Sequence, residues 1–561
     1  VVEYLSAKAA EYKMENPKTS GDLIRENIED GILREIYRAV QTGNINGNFG
    51  MHQSCLAYAA VVLDTMPETK EWIDWVFRNG EAIGSPQAHT VTGGNVIRQL
   101  LTSVDRDGMT NEISPQYSDT WAGNTVALID ALAGYDKYPN MDMYSNPILI
   151  KMLSSMLPLT LARSATAQIG DSGSVADEKL YMNQARLIPA FLHTQNPIFA
   201  QMLYFLNGNK ADGLHYDVYT KDPNRLASEV QQVVDQHGEY DFDRSEQIAG
   251  YGFSILRDGT YTPEKDTQRD IWMFYGRGAG HGHLDVLNLG MSAYGINIAP
   301  DLAYPIGTTG DVYTNWGQNT IAHNTVVVDS SKQSRVRTHA ADVMHFDDSG
   351  QVKIMDADAA DRYPATDIYR RTVVMVNAGD DISYGIDFFR IKGGNEHLYS
   401  FHALSQEVAQ TENLTLVPQK DADGAYIGSY AGAQIPYGTE GNTSGKTWLR
   451  NVDRASDVSG AYSVDFRIAD TYGRIPSDMD LHLRLTMVNS FDLGEVAIAE
   501  GVPAQVPNNP EYVKFLLAKR TGTNLDSLFT TVLEPYDTQR YIESIEAVPV
   551  TLAGSDAVLG D

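Results

Sequence analysis

The chain has 561 residues, 42% of them hydrophobic, so more than one core and two or three domains are expected. A formal charge of −30 argues against a nucleic-acid partner, because phosphate binding needs clustered cations. The single cysteine, Cys55, excludes a disulfide framework and a cysteine-based metal centre. No apolar run reaches about 18 residues, so no membrane-spanning helix is expected. The N-terminus, VVEYLSAKAAEYKMEN, is amphipathic and lacks the apolar region of a signal peptide, so the chain reads as a mature or trimmed form.

Residues 1–235 carry apolar side chains at helical spacing, as in HQSCLAYAAVVLDTM, TKEWIDWVFRNG and NTVALIDALAGYD, with DTWAGN and KYPNMDMYSNP as breaks. Many such helices without a fixed-period repeat predict an α/α toroid rather than a solenoid. The polar, Asp-rich stretch 207–245 reads as a linker. From about 236 to 494 the runs become short, β-branched and aromatic, predicting an antiparallel β-sandwich. Residues 495–561 continue in β-like runs such as VKFLLAKR and IEAVPVTL and are expected to form a small separate C-terminal β segment. The expected fold is therefore a multidomain α+β chain of toroid, sandwich and terminal β region.

Two spots in the helical half differ from ordinary amphipathic helix. In NGNFGMHQSC, Asn48 and His52 are one turn apart and can line one face. In DGMTNEISPQYSDTW, Tyr117 stands in a polar loop, where a phenol can serve as a general acid or base. Arg98 and Glu112 are lesser candidates. In the β half, Gly276–Asp329 concentrates the chemistry. His281 and His283 alternate inside a glycine-rich turn, Asp301 follows 18 residues later, and His323 opens the apolar run NTVVVD. In an extended segment the two alternate histidines point to one side. Imidazole and carboxylate ligands suit zinc, with one protein-free position left open. Tyr304 and Tyr313 lie nearby. Arg370 and Arg371 are cleft cations or edge charges, and His397 and His402 read as structural. There is no Walker loop, nucleophile elbow or HExxH.

HGHLDVLNL, DLAYP and AHNTVVVD resemble the heparinase II/III-like polysaccharide lyases, which include alginate lyases. DGMTNEISPQYSD resembles their tyrosine loop and GNFGMHQ their asparagine-bearing helix. The resemblance implies a toroid and a sandwich flanking a cleft, and β-elimination on a uronic-acid polymer in an exported (secreted or periplasmic) bacterial enzyme. By resemblance, Tyr117 is the base and/or acid and His281 its partner. Asn48 neutralises the uronate carboxylate by hydrogen bonding. Relatives often carry a histidine directly after this asparagine. Here Phe49 stands there, so either His52 substitutes from the next turn or it is uninvolved. His283, Asp301 and His323 match ligands of a structural zinc. Tyr304 best matches a further contributing tyrosine, with Tyr313 the alternative. Alginate is the first substrate expectation, with heparan sulfate, hyaluronan or chondroitin as alternatives. A zinc hydrolase and a non-catalytic carbohydrate-binding protein are the competing classes.

Overall fold

The computed structural model describes residues 21–546 except 86–87, 139–142, 176–178, 217–219, 263–264, 305, 308–309, 380–381 and 489–492, with a few of the first twenty and residue 548. The amphipathic N-terminus and the end of IEAVPVTL thus fall largely outside the described residues. The chain forms two compact units, neither of them a single stretch. One takes 1–110, 118–154 and 182–240; the other takes 111–117, 155–181 and 241–561.

The first unit is built mainly of helices, among them α1 (Met51–Leu63), α2 (Glu68–Phe77), α3 (Val96–Ser103), α4 (Pro115–Leu132), α5 (Gln184–Thr194), α6 (Pro197–Leu206) and α7 (Arg225–His237). Local chemistry sets several starts. The Asn183 and Asn196 side chains accept the backbone N–H of Ala185 and Ile198, and Pro197 opens α6 at a position where its missing N–H costs nothing. Two expectations are corrected here. The supposed linker contains α7, whose Leu226, Val230 and Val234 are buried at four-residue spacing on an otherwise polar helix. DTWAGN is no break, since α4 runs through it. Gly123 inside α4 lies so close to the Arg186 guanidinium that a Cβ there would be 2.6 Å from Cζ, and Arg186 also pairs with Asp119. The first turn of α4, through Tyr117, groups with the second unit.

Among the described residues, the second unit holds three large antiparallel, sandwich-like sheets beside two short two-stranded ones. The smallest of the three is a five-stranded meander in chain order: β1 (Glu246–Ile248), β2 (Phe253–Asp258), β3 (Arg269–Phe274), β4 (Asn288–Ala293) and β5 (Ile296–Ala299). An eight-stranded sheet is centred on β9 (Ile382–Gly393), paired on one side with β8 (Thr366–Gly379) and on the other with a strand at Asp526–Asp537. A six-stranded sheet starts from the short β6 (Val326–Val328). Its neighbouring strand spans Glu396–His402, followed by Val513–Thr521 and Leu493–Gly501. All three sheets send side chains into one core, including Met273, Met291, Val326, Val373, Phe389, Tyr399 and Phe529. The six-stranded sheet is buried on both faces. Val326 and Val328 enter that core, while Val327 enters a second cluster with Leu398, Trp316 and Phe515. Continuous apolar runs such as NTVVV follow from this two-sided burial.

The C-terminal residues are not a separate sheet. Leu493–Gly501 and Val513–Thr521 are inner strands of the six-stranded sheet, and Asp526–Asp537 pairs with Ile382–Gly393 and Leu481–Met487 inside the eight-stranded one. Strand pairing across more than a hundred residues leaves no local mark in a sequence.

Arg370 and Arg371 lie within β8 and each pairs with a carboxylate. Arg370 binds Asp356 at 2.9 and 2.5 Å. Arg371, fully buried, forks onto Asp387 at 2.8 and 2.7 Å and donates to the carbonyls of Leu287 and Asn324. It thereby ties the sheet to the segment that carries the candidate site. Arg371→Leu leaves Asp387 as an uncompensated buried charge, so it is expected to cost about 3–5 kcal/mol, read as a lowered midpoint in urea denaturation. His397 and His402 are structural as expected, with ring nitrogens on the carbonyls of Gly393 (2.6 Å) and Pro300 (2.8 Å).

Candidate active site and metal centre

The site is assembled within the second unit from three separated pieces of chain. His281 sits in a loop rather than a strand, and close backbone packing holds that loop. Its N–H donates to the Glu112 carbonyl at 2.8 Å, and its carbonyl accepts the Asp171 N–H at 3.0 Å. Two glycines make this approach possible. Gly170 has φ +60°, and a Cβ there would lie 2.3 Å from the His281 carbonyl oxygen. Gly280 has φ +44°, and its Cβ would meet the Glu112 Cα at 2.5 Å. The Arg335 guanidinium closes the turn from the other side, donating to the carbonyls of Gly278 (3.1 Å) and Gly282 (2.9 Å).

Tyr117 lies in the first turn of a helix, not in a loop as expected. Pro115 starts that helix, where proline is pre-organised. The Tyr117 and His281 rings are stacked with centroids 3.4 Å apart and planes 9° from parallel. The Tyr117 and Tyr304 hydroxyls are 3.5 Å apart. Burial first, then the Tyr304 hydroxyl and the charges of Asp171 and Glu112, holds the Tyr117 phenol above its ordinary pKa. At neutral pH it is a proton donor. The Glu112 carboxylate is 3.8 Å from His281 Nε2.

The two alternate histidines lie in a loop rather than an extended segment, and both reach one carboxylate that sequence reasoning missed. Asp171 Oδ2 faces His281 Nδ1 at 2.7 Å, and its Oδ1 faces His283 Nε2 at 3.0 Å. The Tyr313 hydroxyl donates to Oδ2 at 2.8 Å. Burial would raise the Asp171 pKa, but these three donors hold its carboxyl well below the usual range. Tyr304 and Tyr313 therefore have different places, one at the Tyr117 hydroxyl and one on Asp171. The only sequence mark of Asp171 is its glycine-flanked setting, GDSG.

Behind this layer, His283, Asp285, Asp301 and His323 each bring one ligand atom within 4.8 Å of the others, all buried. Asp285 was not anticipated. It is two residues after His283 in the apolar run LDVL. His323 is set by a 3₁₀ turn at Thr320–Ala322 and precedes β6 rather than opening it. The hydrogen bonds fix the ring orientations. His323 Nδ1 meets the Asn319 carbonyl at 2.9 Å and must donate, which leaves Nε2 as a lone pair. His283 Nε2 donates to Asp171, so in the neutral ring Nδ1 carries the lone pair. Burial would lower the pKa of this imidazole, but Asp171, Asp301 and Asp285 outweigh it and hold the ring above its ordinary value. The two nitrogens, His283 Nδ1 and His323 Nε2, face each other at 3.3 Å. Both oxygens of Asp285 and Oδ2 of Asp301 lack a hydrogen-bond partner, although Asp301 Oδ2 is 3.3 Å from His323 Nε2. Burial pushes the Asp301 carboxyl up to about 6 and also raises Asp285, while it depresses His323 to about 4. Two imidazole lone pairs and two carboxylates converging without a donor form a donor set that fits a divalent cation.

The remaining candidates lie in the first unit. Asn48 is half-buried before α1, and Phe49 is core, its ring centroid 4.8 Å from that of Trp121. His52, on α1, is held below its ordinary pKa by burial, and its Nδ1 lacks a partner. Arg98 is exposed on α3.

The second unit thus combines three large antiparallel sheets with a phenol–imidazole pair beside a buried His/Asp cluster. The profile of the family "Heparinase II/III-like, C-terminal" matches residues 273–466, about a third of the chain. An alginate lyase of Stenotrophomonas maltophilia (strain K279a) is 25% identical over 162 residues, 26% of this chain and 21% of that protein. The fold is similar to the crystal structure of heparan sulfate lyase HepC from Pedobacter heparinus. The TM-score is 0.60 at 13% identity, covering 94% of this chain and 66% of that one. It is also similar to heparinase III, with TM-score 0.52, 12% identity, and coverage of 96% and 68%. The chain thus matches about a fifth of the alginate lyase and just under two thirds of HepC.

Proposed function

We propose that this protein is a polysaccharide lyase that cleaves a uronic-acid polymer by β-elimination. The stacked Tyr117–His281 pair is the observation that carries this reading, since it sets a phenol proton donor against an imidazole. Asp171 accepts from His281 Nδ1, so Nε2 is the nitrogen available as a base. In the reaction His281 removes the C5 proton, its electrons form the C4–C5 double bond, the C4–O bond breaks, and Tyr117 protonates the departing oxygen. No water is consumed. Tyr304 hydrogen-bonds the phenol, and Glu112 and Tyr313 border the pair. Asn48 and His52 keep the carboxylate-neutralising role that the resemblance gives them, with Arg98 as a substrate contact.

We also assign a zinc ion to His283, Asp301 and His323, with Asp285 as a further acidic neighbour. When bound, it supplies charge that neutralises the buried carboxylates, a structural role. The helices of the first unit are proposed to close as an α/α toroid, and the enzyme to act outside the cytoplasm.

Alginate is the favoured substrate, supported by the alginate lyase relative and by the −30 chain charge, which disfavours a heavily sulfated polymer. The similarity to a heparan sulfate lyase supports the second reading, a glycosaminoglycan lyase. Incubation with alginate, polymannuronate, polyguluronate, heparan sulfate, chondroitin and hyaluronan, followed by ultraviolet absorbance and product sizing, decides between them. Unsaturated product from alginate or its blocks is expected. Saturated products only would point to a hydrolase, and no product from any polymer to a binding protein.

A further inference from the structure

Resting on the reading of Tyr117 and His281 as the reacting pair, we propose that Asp171 is a positioning residue that fixes the ring orientation of His281. Three observations converge. Asp171 is 2% exposed, so no solvent competes for its oxygens. Its main chain is tied to the same loop, with the N–H on the His281 carbonyl at 3.0 Å and the carbonyl accepting the Ser114 hydroxyl at 2.7 Å. Its two oxygens then divide the work. Oδ2 takes His281 Nδ1 and the Tyr313 hydroxyl, and Oδ1 takes His283 Nε2. A carboxylate only accepts, so both imidazoles present their donor nitrogens to it.

The consequence differs for the two rings. For His281, the lone pair is turned to Nε2, the end near Glu112, while the ring stays stacked on Tyr117. For His283, Nε2 is taken by the carboxylate and Nδ1 is turned toward His323. One carboxylate therefore sets the tautomer of the proposed base and holds it against the wall carrying the His/Asp cluster. A buried carboxylate behind an imidazole is a common way to fix a tautomer. Here it serves two imidazoles that are two residues apart.

The test uses Asp171→Asn, alone and combined with His281→Ala, in the whole chain. In the single variant, kcat on the best polymer is expected to fall roughly 10- to 100-fold with KM nearly unchanged and metal content retained. In the His281→Ala background, the same change is expected to have almost no further effect on residual kcat, because both act through one ring. Equal losses in both backgrounds would overturn the proposal. Nitrogen NMR of labelled histidine in the unmutated protein gives a second readout that needs neither a stable variant nor turnover. His281 is expected to carry its proton on Nδ1, and a proton on Nε2 would also overturn the proposal. If no polymer yields unsaturated product, the lyase reading falls while the NMR result still decides the role of Asp171.

Discussion

Tyr117→Phe is expected to lose about 10²–10⁴-fold in kcat while leaving the fold and polysaccharide binding intact, the range for removal of a general acid. The substitution deletes only the hydroxyl. The phenyl ring can keep the stack on His281, and the contact given up, 3.5 Å to the Tyr304 hydroxyl, is a weak hydrogen bond at most. Stability is thus expected to change by no more than about 0.5 kcal/mol. Initial-rate measurements of unsaturated product, with binding followed by calorimetry, separate the two effects. Near-normal turnover in this variant would remove Tyr117 from the mechanism. The elevated pKa of the phenol also bears on direction. A donor held neutral suits the leaving oxygen, so the variant is expected to suffer least on substrates whose leaving group needs little protonation.

The second large effect concerns the His/Asp cluster. Stripping divalent cations with a chelator is expected to lower the melting temperature by roughly 5–10 °C, taking about 4 kcal/mol for a ligand present at 1,000 times its Kd. Asp285→Asn should reverse the sign of part of this. Asp285 is buried, both its oxygens lack a partner, and Asp301 is close by. Neutralising it removes like-charge repulsion in the stripped protein but also removes a ligand candidate. The variant is therefore expected to melt higher than the unmutated protein in chelator and to gain less from added zinc. Differential scanning calorimetry in the four conditions checks this. If the unmutated protein loses nothing in chelator and elemental analysis finds no metal, the cluster holds no structural cation.

The candidate site was legible in the sequence to the extent that it rests on residue type and short spacing. HGH, DLAYP and AHN offered unusual ligands close together, and His283, Asp301 and His323 do converge with Asp285 in one buried cluster. Tyr117 stood out for the same reason. What escaped was set by distant contacts. Asp171 lies 110 residues from His281, and nothing in GDSG announces an acceptor for two imidazoles. Asp285 was hidden by its apolar neighbours. His281 and His283 do converge, on Asp171, but from a loop whose path is fixed by glycine contacts with Glu112 and Asp171 rather than from a strand. In the fold, helical and β patterning were readable wherever one face is buried. The helix at Arg225–His237 was not, because only three buried residues mark it. The long-range pairing of Asp526–Asp537 was equally unreadable from its own residues.

The interleaving of the two units has a consequence for anyone wishing to cut this chain apart. Residues 111–117 and 155–181 are encoded among the helices but fold with the sheets, and they bring Tyr117 and Asp171 with them. A fragment beginning at 241 would carry His281 without the phenol that stacks on it or the carboxylate that orients it. The chemistry belongs to a unit that no single incision can excise.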